Sequence, residues 1–139
     1  MTTFYISTDK KRLNIDFIHD FIANSYWGKG RTREQTLQTI ENSFCFGMYS
    51  KSDEQIGFGR VVTDYVFFGY LMDVIIAPEY QRKGLGKALM EFMLQNKTIQ
   101  ALQTVALKTK DAHSLYGKYG FKKVGESLLW MSIDRQQLE

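Results

Sequence analysis

Near the start of the chain, hydrophobic residues recur with the period of a helix. A short strand is expected at residues 4–6, and Asn14 can then cap a helix in which isoleucines recur every three or four positions. Thr32 followed by Gln35 matches the capping-box pattern. The sequence therefore predicts one strand and then two helices.

The middle of the chain has the pattern of strands. Runs at 44–49, 55–63 and 67–76 are rich in strand-forming residues and are joined by short polar turns, which predicts an antiparallel meander. Pro78 cannot donate to a sheet ladder and marks the end of the third strand. Apolar positions within 85–94 then predict a long helix.

The last part of the chain predicts a strand, a helix and a strand. The first strand is expected at 104–107, and Asp111 can cap a helix that runs to about Tyr119 and stops at Gly120. A final strand is expected at 128–133. These elements predict a mixed α+β domain with at least one right-handed βαβ crossover.

The composition indicates one folded domain over residues 1–139. The chain has 139 residues, 44% of them hydrophobic, which suits a single core. The N-terminus lacks a signal-peptide pattern and no window approaches the ~20 apolar residues of a spanning helix, so we expect a cytoplasmic protein without a membrane partner. The net charge of +3 is too small and too dispersed to indicate a nucleic-acid partner.

Neither the single cysteine nor the two histidines form a metal-binding pattern. Cys45 lies in an apolar run and is expected to fill the core. His19 and His113 are far apart without metal-ligand spacing. The sequence predicts no metal.

The segment that opens the long helix combines glycines with cations. A diphosphate binds best to free N–H groups at a helix start, where glycines admit it and positive side chains surround it. This segment is expected to bind a phosphorylated small molecule. Its residues are Gln81, Arg82, Lys83, Gly84, Leu85, Gly86 and Lys87.

Two other phosphate motifs are excluded. Leu89 stands where a Rossmann motif needs its third glycine, and no early βαβ unit surrounds the segment. Ala88 replaces the Ser or Thr that a P-loop uses to hold Mg²⁺.

The segment Q-R-K-G-L-G-K-A-L, directly after a strand and Pro78, resembles the Q/R-x-x-G-x-G/A signature of the GNAT superfamily of N-acetyltransferases. Residues 112–121, A-H-S-L-Y-G-K-Y-G-F, resemble the A-x-x-L-Y-x-K-x-G-F stretch of that family. The resemblance implies the GNAT fold: a central, mostly antiparallel twisted sheet, splayed at the acyl-CoA site and flanked by about four helices.

The resemblance also implies acetyl-CoA as co-substrate. The main chain of Val74, Ile75 and Ile76 is then expected to bind the pantetheine arm and to stabilise the oxyanion. The alternative is that these residues are only a buried strand, and both can hold because main chain and side chains do different jobs. Lys118 matches a position that can meet the nucleotide phosphates, and an exposed lysine is the alternative. Thr109 departs from the asparagine that many relatives use for the pantetheine arm.

Tyr116 matches the family tyrosine that protonates the departing thiolate. A phenol with an ordinary pKa of about 10 carries its proton at neutral pH. A core aromatic is the alternative, and Tyr119 is a second candidate without the motif position.

Asp73 interrupts an otherwise apolar strand. A buried carboxylate there needs a partner. It is expected either to recognise the substrate amine or act as its base through water, or to pair with Arg60 on the neighbouring strand or lie on a solvated face of the sheet.

Tyr26 and Trp27 lie in the helix–helix loop that often borders the acceptor site in similar folds. They are expected to contact the amine substrate, and closing the edge of the core is the alternative.

The resulting hypothesis is acetyl-CoA-dependent transfer of an acetyl group to a primary amine of a small molecule or peptide. The alternatives are a non-catalytic acyl-CoA-binding module and a basic nucleic-acid-binding domain. The resemblance leaves a homodimer open, because neighbouring subunits often complete the acceptor pocket in this family.

Overall fold

The computed structural model describes residues 3–135, with only the main chain of Glu126. The chain forms two compact units, the first ending at Leu107 and the second beginning at Lys108. Within the described residues, no helix has the length and apolar character needed to cross a membrane.

The first unit is built on a five-stranded sheet. Its strands stand side by side in sequence order, and all neighbours are antiparallel except β4 and β5, which are parallel. This arrangement confirms the predicted meander and the predicted return of the chain to a parallel strand. The strands are β1 Phe4–Ser7, β2 Phe44–Ser50, β3 Gln55–Thr63, β4 Phe68–Ile76 and β5 Thr104–Leu107.

The described residues form five α-helices, where about four were expected. The additional helix is α4, which follows α3 directly because the side chain of Asn96 accepts a 2.9 Å hydrogen bond from the Thr98 N–H and starts a new turn. The helices are α1 Ile15–Ala23, α2 Arg33–Glu41, α3 Leu85–Gln95, α4 Lys97–Ala101 and α5 His113–Gly117.

The starts of α1 and α2 confirm the caps expected from the sequence. The Asn14 side chain accepts a 3.1 Å hydrogen bond from the Phe17 N–H. Thr32 Oγ1 accepts from the Gln35 N–H at 3.1 Å, and Gln35 Oε1 accepts from the Thr32 N–H at 2.9 Å. This reciprocal pair fixes where the α1–α2 loop ends.

Helices α1 and α2 cover one face of the sheet. Their buried Ile18, Ile22 and Ile40 form a core cluster with sheet residues that include Cys45 and Phe58. Cys45 is therefore a core residue, as expected.

Helix α3 and the residue after α4 cover the opposite face. A Cβ at Gly59 would lie 2.7 Å from the sulfur of Met93, and one at Gly69 would lie 2.7 Å from Leu102. Because side chains alternate along a strand, Gly59 faces away from the neighbouring Phe58 and from the α1 side. The glycines let α3 and its extension approach the sheet closely.

The second unit differs from the prediction in both ends of α5 and in its expected last strand. Asp111 was expected to cap this helix, but Ala112 directly precedes α5 and no side chain caps it. The Thr109 hydroxyl accepts a 3.1 Å hydrogen bond from the Ala112 N–H. The helix also ends at Gly117, short of Tyr119.

The strand expected at residues 128–133 is wrong as well. These residues are exposed and not extended into a strand; Leu128, for example, is fully exposed. A strand needs a hydrogen-bonded neighbour, and no described residue of this unit forms one. The nearly continuous apolar run carries no alternation that would specify a face.

Candidate active site

The loop before α3 presents open main-chain groups. Gly84 precedes the helix with φ +78°, and Arg82 has φ +65°. The first helical hydrogen bond runs from the Ala88 N–H to the Gly84 carbonyl at 3.1 Å. The N–H groups of the first turn therefore have no acceptor within the helix and lie at its positive end.

The same loop has space and positive charge. A Cβ at residue 84 would meet no atom within 4 Å, and one at residue 86 would meet Ile76 only at 3.7 Å. Leu85 is buried, so its side chain belongs to the core and only its main chain can serve a ligand. The exposed cations around the loop are Arg82, Lys83 and Lys87.

Gln81 ties the loop to the end of β4. Its Nε2 donates a 2.9 Å hydrogen bond to the carbonyl of Ile76. The start of the glycine loop before α3 is thus held at a fixed position next to β4.

Strand β4 contains a bulge. Arg60 lies opposite Met72, and Phe58 lies opposite Ile75, so β4 has one residue more than β3 in this interval. Asp73 within it has φ +54°. An extra residue of this kind bends the strand and breaks its pairing locally.

Strands β4 and β5 pair over four residues before the bulge. Their pairing runs from Phe68 opposite Thr104 to Leu71 opposite Leu107. From there to Ile76, β3 is the only described strand that pairs with β4. This is the part of the sheet where the family resemblance leads us to expect a splay.

The register shows which main-chain groups face the splay. The Ala77 N–H donates across to β3 at 2.8 Å, so by alternation Ile75 and Phe58 form the next hydrogen-bonded pair. The main chain of Ile75 is therefore turned toward β3. Val74 and Ile76 on either side turn their main-chain groups toward the open side.

Asp73 is a buried ion-pair centre. Its Oδ2 accepts hydrogen bonds from Arg60 Nε at 2.7 Å and from Arg31 Nη1 at 2.8 Å, and Arg31 Nη2 lies 3.4 Å from its Oδ1. The Asp73 side chain is 2% exposed. The pairing with Arg60 that the sequence left open is thus present.

Arg31 is the residue that sequence reasoning missed. It lies at the end of the α1–α2 loop, 42 positions before Asp73, and no local pattern links the two. The sequence pointed to Arg31 only as a cation four residues after Trp27, in a loop that was expected to border the acceptor.

Trp27 packs against the core cluster under α1 and α2. The guanidinium of Arg31 lies 6.0 Å from the centre of its ring, at the outer limit of a cation–π contact. The neighbouring Tyr26 is 65% exposed. Trp27 therefore lies between the core cluster and Arg31 and helps to position that arginine, whereas Tyr26 is on the surface of the loop.

Tyr116 lies in α5 of the second unit. Its ring is half-buried and meets Phe121 edge-on, with 5.7 Å between ring centres. Burial raises the pKa of its phenol above the ordinary value, which keeps the group protonated. Lys118, directly after α5, is exposed.

Among residues 3–135, no group of three or more His, Cys, Asp or Glu side chains is arranged to hold a metal ion. Burial raises the pKa of the Cys45 thiol to about 11, so this cysteine is not a nucleophile at neutral pH.

A family model, the acetyltransferase (GNAT) domain, matches residues 41–123. The match covers more than half of the chain and includes both the α3 loop and Tyr116. The chain belongs to the GNAT acetyltransferase family.

Individual relatives agree with this family. A solved structure from Xanthomonas campestris pv. campestris, of a protein assigned to the GNAT acetyltransferases, is 34% identical with a TM-score of 0.86, and the match covers 96% of this chain and 95% of that one. A Gibberella zeae protein assigned as an acetyltransferase is 31% identical over 137 residues, covering 83% of this chain and 76% of that protein. The GCN5-related N-acetyltransferase 1, chloroplastic, of Arabidopsis thaliana is 24% identical over 136 residues, covering 96% and 69%.

Proposed function

We propose that this GNAT protein transfers the acetyl group of acetyl-CoA to a primary amine of a small molecule or peptide. The observation that carries the proposal is that the end of β4, which pairs with β3 on one side, leads directly into the glycine loop of α3. The hydrogen bond from Gln81 to Ile76 holds these two parts together at 2.9 Å. An acyl group and a diphosphate on one ligand need such a pair of adjoining sites.

The diphosphate of acetyl-CoA is proposed to bind at the start of α3. The free N–H groups of the first turn, the space beside Gly84 and the positive helix end fit an anion. Arg82, Lys83 and Lys87 supply the surrounding charge, and Lys118 is proposed as a further phosphate contact.

Val74 and Ile76 are proposed to hold the acyl end through their main chain. When an amine attacks the thioester carbonyl, negative charge develops on its oxygen, and an N–H already aimed at the open side of β4 stabilises that charge. Ile75 was included with them from the family pattern. Since its main chain is engaged with β3, we assign it to the core instead.

Tyr116 is proposed as the general acid. As the C–S bond breaks, its phenol donates a proton to the sulfur, and the attacking nitrogen gives up a proton to solvent. Burial raises the pKa of Tyr116, which supports this role because the phenol then carries its proton at neutral pH.

Asp73 is proposed as a positioning residue. Its oxygens already accept from Arg31 and Arg60, and only 2% of its side chain is exposed, so a substrate amine could reach it only by displacing an arginine. Its role is then to fix the bulge and the α1–α2 loop. Trp27 and Tyr26 are proposed to border the acceptor.

The test is release of free thiol from acetyl-CoA in the presence of a broad panel of amines, with acetyl-CoA binding measured separately by calorimetry. We expect binding in the micromolar range or tighter and thiol release that depends on the amine. Binding without amine-dependent release would instead favour a non-catalytic acyl-CoA-binding module. Salt-sensitive binding of DNA or RNA in preference to acetyl-CoA would favour a nucleic-acid-binding domain.

A further inference from the structure

The cluster around Asp73 carries one positive charge in excess. It contains the guanidinium groups of Arg31 and Arg60 and a single carboxylate. The side chain of Arg31 is 17% exposed, that of Arg60 is 5% exposed and that of Asp73 is 2% exposed. Water therefore screens the excess charge poorly. A partly buried charge without a counter-ion is costly, and a bound anion relieves that cost.

Arg60 is not the arginine with spare donors. Its Nε binds Asp73, its Nη1 donates to Ser43 Oγ at 3.1 Å, and its Nη2 lies 3.4 Å from the sulfur of Met72. All three nitrogens are thus committed to neighbours in the core.

Arg31 has donors left over. A guanidinium has five N–H groups, and Arg31 uses its two Nη atoms on the same carboxylate, one of them at 3.4 Å. Within residues 3–135, no acceptor is present for its Nε. Being the most exposed member of the cluster, it is also the one that a ligand can reach.

The loop that holds Arg31 adds a second cation and no acid. Residues 25–31 contain Lys29 and Arg31 but neither Asp nor Glu. Lys29 is exposed, and no acidic side chain in the described part of the chain pairs with it. The loop therefore presents positive charge at two points two residues apart.

This positive site lies on the face of the sheet opposite α3. Asp73 contacts the α1–α2 loop, whereas Val74 faces the α3 side, its Cγ2 lying 3.5 Å from a Cβ built at Gly59. A donor held at the α3 loop and an acceptor held by Arg31 would thus reach the splay in β4 from opposite faces. In that arrangement an amine can approach the thioester carbonyl from the face of the sheet that acetyl-CoA does not occupy.

We propose that the acceptor amine carries an anionic group, a carboxylate or a phosphate, which Arg31 binds with Lys29 at the rim. This inference rests on the proposed acetyl transfer and specifies its substrate class. The planar fork of Arg31 suits two oxygens of either anion. A polycationic acceptor would meet like charges at the same place.

The experiment compares matched amines that differ only in the anionic group. The first pair is an α-amino acid and its carboxamide, the second is 2-aminoethyl phosphate and ethanolamine, and a simple diamine serves as the cationic probe. We expect kcat/KM to be about tenfold or more higher for the anionic member of at least one pair. The pair that shows the difference identifies carboxylate or phosphate.

Arg31→Gln should remove this preference by raising KM for the anionic member while changing its uncharged partner little. Arg31→Lys should restore part of it, because the charge returns without the fork. Arg33→Gln is the matched control, since Arg33 is an exposed arginine at the first position of α2 that pairs with Asp16 and not with Asp73. Equal loss for both members in Arg31→Gln, or preference for the diamine, would overturn the inference.

A binding measurement keeps the inference independent of turnover. Calorimetry with inorganic phosphate and with a simple dicarboxylate should show binding to the wild type that Arg31→Gln weakens about tenfold and Arg33→Gln leaves unchanged. If no amine is acetylated but this binding is present, acetyl transfer fails and the anion site stands. If amines are acetylated and neither anion binds in an Arg31-dependent way, the anion site fails alone.

Discussion

Arg60 donates a 2.7 Å hydrogen bond from Nε to Oδ2 of Asp73, and both side chains are buried in the sheet. Asp73→Asn removes the charge and keeps a residue that tolerates the observed φ of +54°. Two guanidinium groups are then left without a counter-ion, so we expect the free energy of unfolding to fall by roughly 3–5 kcal/mol. Chemical denaturation measures it.

The control is Asp16→Asn at the exposed pair with Arg33, which lies 3.2 Å away. Exposed pairs are worth about 0–1 kcal/mol, so this variant should be close to wild type. A loss at Asp73 no larger than the loss at Asp16 would contradict the view that the buried cluster holds the bulge.

Tyr116 is expected to control the alkaline side of the pH–rate profile. Burial raises its pKa, and a general acid must carry its proton, so its contribution is present at neutral pH and is lost as pH rises through the raised pKa, above about 10. Tyr116→Phe should lower kcat by about a hundredfold and remove that alkaline decline.

Steady-state thiol release between neutral pH and the limit of protein stability measures the effect. Tyr119→Phe is the matched control and should retain both the rate and the decline. If Tyr116→Phe has wild-type kcat throughout, the acid is another group.

Gly84→Ala tests the role of the backbone in the glycine loop before α3. A Cβ there meets no atom within 4 Å, so the cost comes only from φ +78°, about 1–2 kcal/mol for a residue with a side chain. Relief of this strain would move the first-turn N–H groups, and we expect acetyl-CoA binding to weaken several-fold by calorimetry.

Gly117→Ala in α5 is the control for this substitution. It also meets nothing within 4 Å, but its φ is not positive, so alanine should be neutral or slightly stabilising. Unchanged acetyl-CoA affinity in Gly84→Ala would show that the left-handed backbone at Gly84 is not needed for acetyl-CoA binding.

Tyr49 provides a prediction about stability. Its hydroxyl is buried and has no hydrogen-bond partner in the described part of the chain, and it lies over Gly47, where a Cβ would come within 2.4 Å of it. Tyr49→Phe removes an unsatisfied group, so the free energy of unfolding should rise by about 1 kcal/mol. Gly47→Ala should lower it, and less so when Tyr49 is phenylalanine.

Thermal and chemical unfolding measure the Tyr49 effect against Tyr5→Phe. The Tyr5 hydroxyl donates a 2.6 Å hydrogen bond to Asp53, so removing it should not stabilise the protein. Stabilisation by both substitutions, or destabilisation by Tyr49→Phe, would show that the Tyr49 hydroxyl is satisfied.

Features set by neighbouring residues were predictable from the sequence. The reciprocal bonds of Thr32 and Gln35 depend on a four-residue pattern, and the glycine loop before α3 depends on six. The meander also follows from local turns and alternation.

Features set by distant residues were not predictable. Arg31 and Asp73 are 42 positions apart and meet only because the bulge turns Asp73 toward the α1–α2 loop. The register that turns Ile75 toward β3 likewise depends on pairing between strands. At 128–133, apolar composition suggested a strand, but composition cannot supply the neighbour that a strand needs.

A cytoplasmic location and a homodimer stay predictions from the sequence and its family resemblance. Sedimentation of the purified protein at several concentrations, with and without acetyl-CoA, would measure the oligomeric state.

Beyond Leu71, no strand within residues 3–135 pairs with β4 on the side away from β3. An unpaired strand edge can template the addition of other extended chains and so promote aggregation. Here the extra residue at Asp73, with its left-handed backbone, interrupts the regular spacing that a foreign strand would need. The bulge at Asp73 therefore makes this edge of β4 a poor seed for fibres.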